Sequence, residues 1–196
     1  MAIAGMKRKV LSGLKWNTIS VVATKSTDFL VMLILARLLV PEAYGIIGMA
    51  ILVVGILEVV SDMGLFNALI QKKEDELTEI RYSSTFWFLL VVSLLLVLCF
   101  FLFISHAGAV FYEEPRLVPI LNALSIYLFF NISSIIPRVI LTRKLNFKSL
   151  VTITFLGTAI SSVTAVIMAL LGFGVWSLVT KYIAGSGVIL VSYWVK

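Results

Sequence analysis

Six runs of predominantly apolar residues, each about 20 residues or longer, fill most of this chain, and whatever fold it adopts must keep them out of water. They lie at 18–39, 44–69, 86–105, 117–136, 150–171 and 173–194. At about 1.5 Å rise per residue, each can cross a hydrocarbon layer of roughly 30 Å as a helix. Membrane-spanning strands would be about ten residues long and would alternate apolar with polar positions, which these runs do not. With 61% hydrophobic and 13% charged residues and a mean hydropathy of +1.10, the chain is far from a soluble domain, about half apolar and a quarter charged. A soluble monomer is excluded. The expected fold class is all-α: a polytopic membrane protein whose residues 1–196 form one unit of six transmembrane helices, with no soluble domain inserted.

The connectors set an orientation. Lys7, Arg8, Lys9 and Lys15 precede the first span, Lys72, Lys73 and Arg81 follow the second, Arg138, Arg143, Lys144 and Lys148 follow the fourth, and Lys196 follows the sixth. The opposite side has only Arg116, and Arg37 at the end of the first span. Because basic loops stay on the cytoplasmic side, both termini are expected there, in a multi-pass protein of the cytoplasmic (inner) membrane. The net charge of +6 therefore belongs to membrane topology, and no nucleic-acid partner is implied. The outer connectors at 40–43 and at Gly172 are short enough to demand tight turns, and His106 to Arg116 is expected to form a short interfacial helix. The start, MAIAGMKRKV, lacks the short apolar region and small-residue cleavage site of a signal peptide.

Ionisable side chains inside spans are costly and face a cavity or a partner, so function is sought there. Lys25, Asp28, Glu58, Asp62 and Lys181 lie well inside, and Arg37 lies near an outer end where it can snorkel to headgroups. At 100° per residue, Asn17, Ser20, Thr24 and Asp28 share a stripe with Lys25 at its margin. In the second span Tyr44, Gly48, Gly55, Glu58, Asp62 and Phe66 share a face on which the glycines would permit close helix approach. Thr154, Thr158, Ser161 and Ala165 form a similar stripe in the fifth span, and Ser177, Lys181, Ala184 and Val188 in the sixth. Counted from the basic ends, Lys25 and Asp62 lie about 10 Å deep, Asp28 and Glu58 about 15 Å, and Lys181 about 20 Å. Two readings follow: a cavity wall that handles a charged substrate, or structural pairs, Lys25 with Asp28 or Asp62 and Glu58 with Lys181, that lock the bundle.

Other chemistry is thin. A single cysteine, Cys99, and a single histidine, His106, preclude an internal disulfide and argue against a protein-built metal or cofactor site. Cys99 sits among Leu98, Phe100 and Phe101 as an inert thiol, and His106 reads as an interfacial polar residue. Trp16, Trp87, Trp176 and Trp194 fall near span ends as an aromatic belt. No phosphate loop, nucleophile elbow or metalloprotease motif points to catalysis, and no catalytic residue is assigned.

The stretches LARLLVPEAYGIIGMA, SDMGLFNALIQKKE, LTRKLNFKSL and GFGVWSLV together resemble the polysaccharide transporter family, which includes O-antigen and colanic-acid flippases within the multidrug, oligosaccharidyl-lipid and polysaccharide exporter superfamily. The resemblance implies one six-helix lobe, the N-terminal half, of a two-lobe flippase fold, with a second six-helix lobe completing a central cavity. It implies export of undecaprenyl-pyrophosphate-linked oligosaccharide in surface polysaccharide biosynthesis, from a protein embedded in membrane lipid. Lys25, Lys181 and Arg37 would then attract phosphate or glycan, and Asp28, Glu58 and Asp62 would balance them and carry a coupling proton or cation. The competing expectations are a cation-coupled multidrug exporter built on the acidic pair, and a non-transporting membrane module that assembles glycan-synthesis enzymes on its basic loops.

Overall fold

The computed structural model describes residues 2–62, 79–144 and 146–195, with side chains described at 18, 21–59, 83–144 and 146–195. The inner part of the span expected at 44–69, with Phe66, and the Asp62, Asn17 and Ser20 side chains lie outside these residues. The elements are α1 (Ala2–Leu38), α2 (Pro41–Asp62), α3 (Glu79–Cys99), a π turn (Phe100–Ile104), α4 (Ser105–Phe111), α5 (Leu117–Ser133), α6 (Ile135–Arg143), α7 (Phe147–Leu170) and α8 (Val175–Trp194). No strand occurs among the described residues. Among the described residues, five helical runs are long and apolar enough to cross a membrane: Pro41–Val59, Ser83–Phe111, Leu117–Arg143, Phe147–Leu170 and Val175–Trp194. The 37 residues of α1 span about 55 Å, so it outreaches the apolar layer.

The bundle is organised around α5. Its stripe of Leu117, Leu121, Leu124, Leu128 and Ile132 is buried at helical spacing, and α2, α3, α4 and α8 pack on it. Large apolar side chains such as Phe29, Leu33, Phe88 and Leu95 point outward, exposed; in a bilayer this surface meets lipid, where leucine is at home. α7 and α8 form the closest pair because small residues line their contact. A Cβ built on Gly157 would come within 2.6 Å of Ile189 Cγ1 and 3.2 Å of the Gly185 carbonyl, and one on Gly185 within 3.2 Å of Ser161 Cβ. α1 leans on α7, while α2 packs on α5 and α8. The glycines expected to seat α2 against a neighbour do not: a Cβ on Gly48 or Gly55 meets nothing within 4 Å. Their face is turned to open space because α2 buries its opposite side, Ile46, Ile47, Ala50 and Val54.

Turn chemistry fixes the connections. The α7–α8 turn is a Schellman motif: Phe173 N–H donates to Met168 O at 3.1 Å and Gly172 N–H to Ala169 O at 3.0 Å, with Gly172 at φ 83°. The same motif closes α4, where Glu114 N–H donates to Ala109 O and Glu113 N–H to Val110 O, but the left-handed position is held by Glu113 at φ 53°. At that end Arg116 joins two connections, donating to Glu42 at 2.7 Å and to both Glu114 oxygens at 2.8 and 2.9 Å. Hydrogen bonding from Arg116 holds the Glu114 carboxyl below its usual range. The turns after α1, α4 and α7 thus share one end of the bundle, and Arg143 and Lys144 lie at the other.

Two local features differ from expectation. His106 to Phe111 is no separate interfacial helix; it continues the third span through the π turn, where Ser105 Oγ donates to Phe100 O at 2.7 Å and absorbs the extra residue. The fourth run breaks at Ser134, because Pro137 has no N–H to offer the Ser133 carbonyl and its ring crowds that carbonyl. The helix restarts as α6, and Asn146 then caps α7 by accepting from Ser149 N–H at 3.3 Å.

Three substitutions test this account by thermal unfolding in detergent. Gly157→Leu should cost about 1–3 kcal/mol by wedging α7 from α8, whereas Gly48→Leu, facing open space, should cost far less. Glu113→Gly should stabilise by about 1 kcal/mol, since glycine enters the left-handed region without the side-chain clash.

Candidate functional site

Where α1, α5, α7 and α8 face one another, the packing leaves a cavity of about 400 Å³. Small residues on α7 and α8 line one side of it: Gly157, Ser161 and Gly185 let the two backbones approach, and the cavity opens beside their crossing. Its walls are unusually polar for the interior of a membrane bundle, with Tyr127, Asn131, Ser134, Thr158, Ser161 and Ser186 contributing hydroxyl or amide groups. The rings of Tyr127 and Tyr182 meet edge-on at 5.7 Å and form an aromatic flank.

The charged pair in this cavity is Asp28 on α1 with Lys181 on α8, Nζ to Oδ1 at 3.0 Å. Their side chains are 38% and 24% exposed, so both remain open to a solute in the cavity. The helical stripe through Thr24 and Asp28 accounts for Asp28, and the stripe through Ser177 and Lys181 for its partner. Lys181 was expected near Glu58, if paired at all. Instead α1 lies along α7, next to α8, and brings Asp28 to the lysine first.

Glu58 turns to α5. It accepts from Tyr127 Oη at 3.3 and 3.4 Å and from the Asn131 amide, and Asn131 also donates to Tyr127 Oη at 3.3 Å. Glu58 thus sits behind two residues that line the cavity, linked to it through their polar atoms. Lys25 is exposed and lines no described cavity, and Arg37 is exposed at the hairpin end of α1. The expected site residues therefore divide. Asp28 and Lys181 meet, Glu58 joins through Tyr127 and Asn131, Lys25 and Arg37 stand apart, and the Asp62 side chain is outside the described residues.

A second polar space of about 410 Å³ adjoins the first, sharing Asn131, Ser134 and Ile189 and adding Arg138, Thr142 and Thr154. Together they lead from Lys181 toward the basic end of the bundle. Sequence reasoning missed Tyr127, Asn131 and Arg138. The signal for the first two was present as a tyrosine and an asparagine four residues apart inside an apolar run, one helical face of an otherwise leucine-rich segment. No group of three or more His, Cys, Asp or Glu that could hold a metal occurs among the described residues. His106 and Cys99 are exposed away from the cavity. What the arrangement offers is a polar space with a matched ion pair and many hydrogen-bonding groups, suited to a solute that is both charged and rich in hydroxyls.

Residues 34–196 match the family model described as polysaccharide biosynthesis protein. The chain is 29% identical over 174 residues to the succinoglycan biosynthesis transport protein ExoT of Rhizobium meliloti (strain 1021), covering 89% of this chain and 35% of that protein. It is 25% identical over 121 residues to the lipopolysaccharide biosynthesis protein WzxC of Escherichia coli (strain K12), covering 62% of this chain and 24% of that one. A membrane protein in the cps region of Klebsiella pneumoniae, itself uncharacterized, is 34% identical over 96 residues, or 46% of this chain and 20% of its own length. The chain thus spans roughly a third or less of the curated relatives it matches. No solved structure matches. Apolar helices enclosing a polar cavity, and a family match over most of the residues, lead to one conclusion: this multi-pass membrane protein belongs to the polysaccharide biosynthesis protein family.

Proposed function

We propose that this chain is one lobe of a flippase that moves a lipid-linked oligosaccharide, with an undecaprenyl-pyrophosphate carrier, from the cytoplasmic to the outer leaflet of the inner membrane. The observation that carries the reading is the Asp28–Lys181 pair in a hydroxyl-lined cavity of a chain similar to a succinoglycan transport protein. The physical problem is to carry a hydrophilic glycan and a double phosphate across roughly 30 Å of hydrocarbon while the polyprenyl tail stays in lipid. A polar cavity replaces the water those groups lose.

The pair suggests how an anion is taken up without leaving a bare charge in the membrane. At rest Asp28 balances Lys181; an arriving phosphate competes for the ammonium, and a proton or cation taken up by Asp28 then neutralises the displaced carboxylate. Lys181 is in this reading the phosphate-binding group, Asp28 the coupling group, and Glu58, held by Tyr127 and Asn131, a second candidate for the coupling ion. Lys25, Arg37 and Asp62 would contribute to the wall that a second six-helix lobe completes. In this orientation the basic end, with Arg138 and Lys144, faces the cytoplasm together with both termini.

Export of surface polysaccharide in a strain lacking its own flippase, normalised to membrane protein level, tests the mechanism. Lys181→Gln should reduce export by about tenfold or more, the worth of a charge-assisted hydrogen bond, and Lys181→Arg should retain much of it. If the pair were only structural, Lys181→Gln combined with Asp28→Asn would restore export; for a phosphate-binding lysine the double variant stays impaired.

Orientation is tested separately by single cysteines in a Cys99→Ser background, labelled on intact cells with an impermeant thiol reagent. Cysteines at Pro41, Glu113 and Phe173 should react, and one at Lys144 should not; labelling of Lys144→Cys from outside would invert the proposed topology.

A further inference from the structure

At the basic end, the start of α3, the middle of α6 and the end of α8 leave a groove of about 610 Å³, separate from the central cavity and open on one side. Its walls are aromatic and apolar, with Phe86, Trp87, Ile140, Tyr193 and Trp194 among them. Phe86 is the hub: its ring meets Trp194 edge-on at 5.3 Å and Trp87 at 6.0 Å. Lys144 stands on the lining, exposed and in no ion pair among the described residues.

Depth and charge together identify an occupant. The spans Ser83–Phe111, Leu117–Arg143 and Val175–Trp194 each begin or end at this groove, so it lies where the hydrocarbon gives way to headgroup phosphates. Trp87 and Trp194 are 63% and 61% exposed, and indole rings favour that boundary. The walls are too apolar for a free sugar or nucleotide. Lipid tails meet the aromatic surface there in any bilayer, and the Lys144 ammonium is a point charge suited to a phosphate. A zwitterionic headgroup carries its own cation and gains little from Lys144; an anionic headgroup brings an unbalanced negative charge. We infer that this groove binds one anionic glycerophospholipid, its headgroup phosphate at Lys144 and the upper part of its chains across Phe86 and Trp194. The site is independent of the transport reading, since it uses neither Lys181 nor Asp28.

Tryptophan quenching by brominated lipid tests the assignment. The whole chain, with Trp16→Phe and Trp176→Phe so that Trp87 and Trp194 report, is reconstituted in phosphatidylcholine vesicles. A minor fraction of the lipid is either dibrominated phosphatidylglycerol or dibrominated phosphatidylcholine. Phosphatidylglycerol should quench more strongly at equal mole fraction, with a relative affinity about fivefold higher, as one lysine near an anionic surface provides. Lys144→Gln should bring the two lipids to parity while leaving helix content, elution volume and quenching by phosphatidylcholine unchanged. Equal quenching by both lipids in the parent protein would mean ordinary annular lipid and would overturn the site. A phosphatidylglycerol preference that survived Lys144→Gln would overturn it as well, because the selectivity would then belong to the basic surface at large.

Discussion

Two helices surrounded by lipid gain little by burying leucine against leucine, since the tails are equally apolar; they associate where their backbones can come close enough for dense van der Waals contact. In this bundle that contact is the α7–α8 crossing at Gly157, Ser161 and Gly185. Much of the remaining arrangement leans on it. α1 rests along α7, and α5 and α2 rest on α8, so the position of every wall of the central cavity is set relative to this pair. Small side chains bring the helices together and also leave the cavity empty beside the crossing. Packing and site therefore have one cause, and a residue that filled the space would lose both.

Within that frame the charged groups are placed by helix face and completed by neighbours. Asp28 and Lys181 share a cavity because α1 and α8 flank the same helix, α7. Glu58, at similar depth, belongs to α2 and is drawn to the polar residues of α5. Each membrane-embedded carboxylate with a described side chain thus has a partner from another helix, which is the condition for keeping it charged in low dielectric. The two arrangements differ in kind. Lysine can exchange its carboxylate for another anion, whereas tyrosine and asparagine can donate to a carboxylate without bringing a charge of their own.

The helical class and the approximate limits of α5, α7 and α8 were legible because apolar runs of membrane-spanning length have few alternatives, and Gly172 marked its turn. The break at Ser134 was harder to see. Pro137 stood one residue beyond the expected end of the fourth run, so its effect on the preceding turn was hidden in an assumed boundary. The continuation to Phe111 was also missed, because a π turn has no composition signal and His106 read as an interfacial polar residue. Within the site, depth followed from the rise per residue, but azimuth did not: rise alone allowed Lys181 to reach Glu58, and only the lateral order of helices assigns it to Asp28. The Gly48 and Gly55 face illustrates the same gap, since small residues can mark either close contact or open space.

The interior hydroxyls bear on how such a bundle can change shape. Ser93, Ser125, Ser134, Ser161 and Ser186 all donate to carbonyls three or four residues back on their own helix, and Ser105 does so five residues back across the π turn. Their donor hydrogens are spent within their own helix, and only the hydroxyl oxygens remain, as acceptors, on the small-residue surface that each helix presents to its neighbours. Helices meeting through such surfaces can slide or tilt past one another without a ladder of cross-links to break, and the polar links between α1 and α8 and between α2 and α5 then act like rivets in an otherwise lubricated joint. Stiffness in this lobe is concentrated at a few points, so motion is governed by the chemistry at those points rather than by the large area of contact around them.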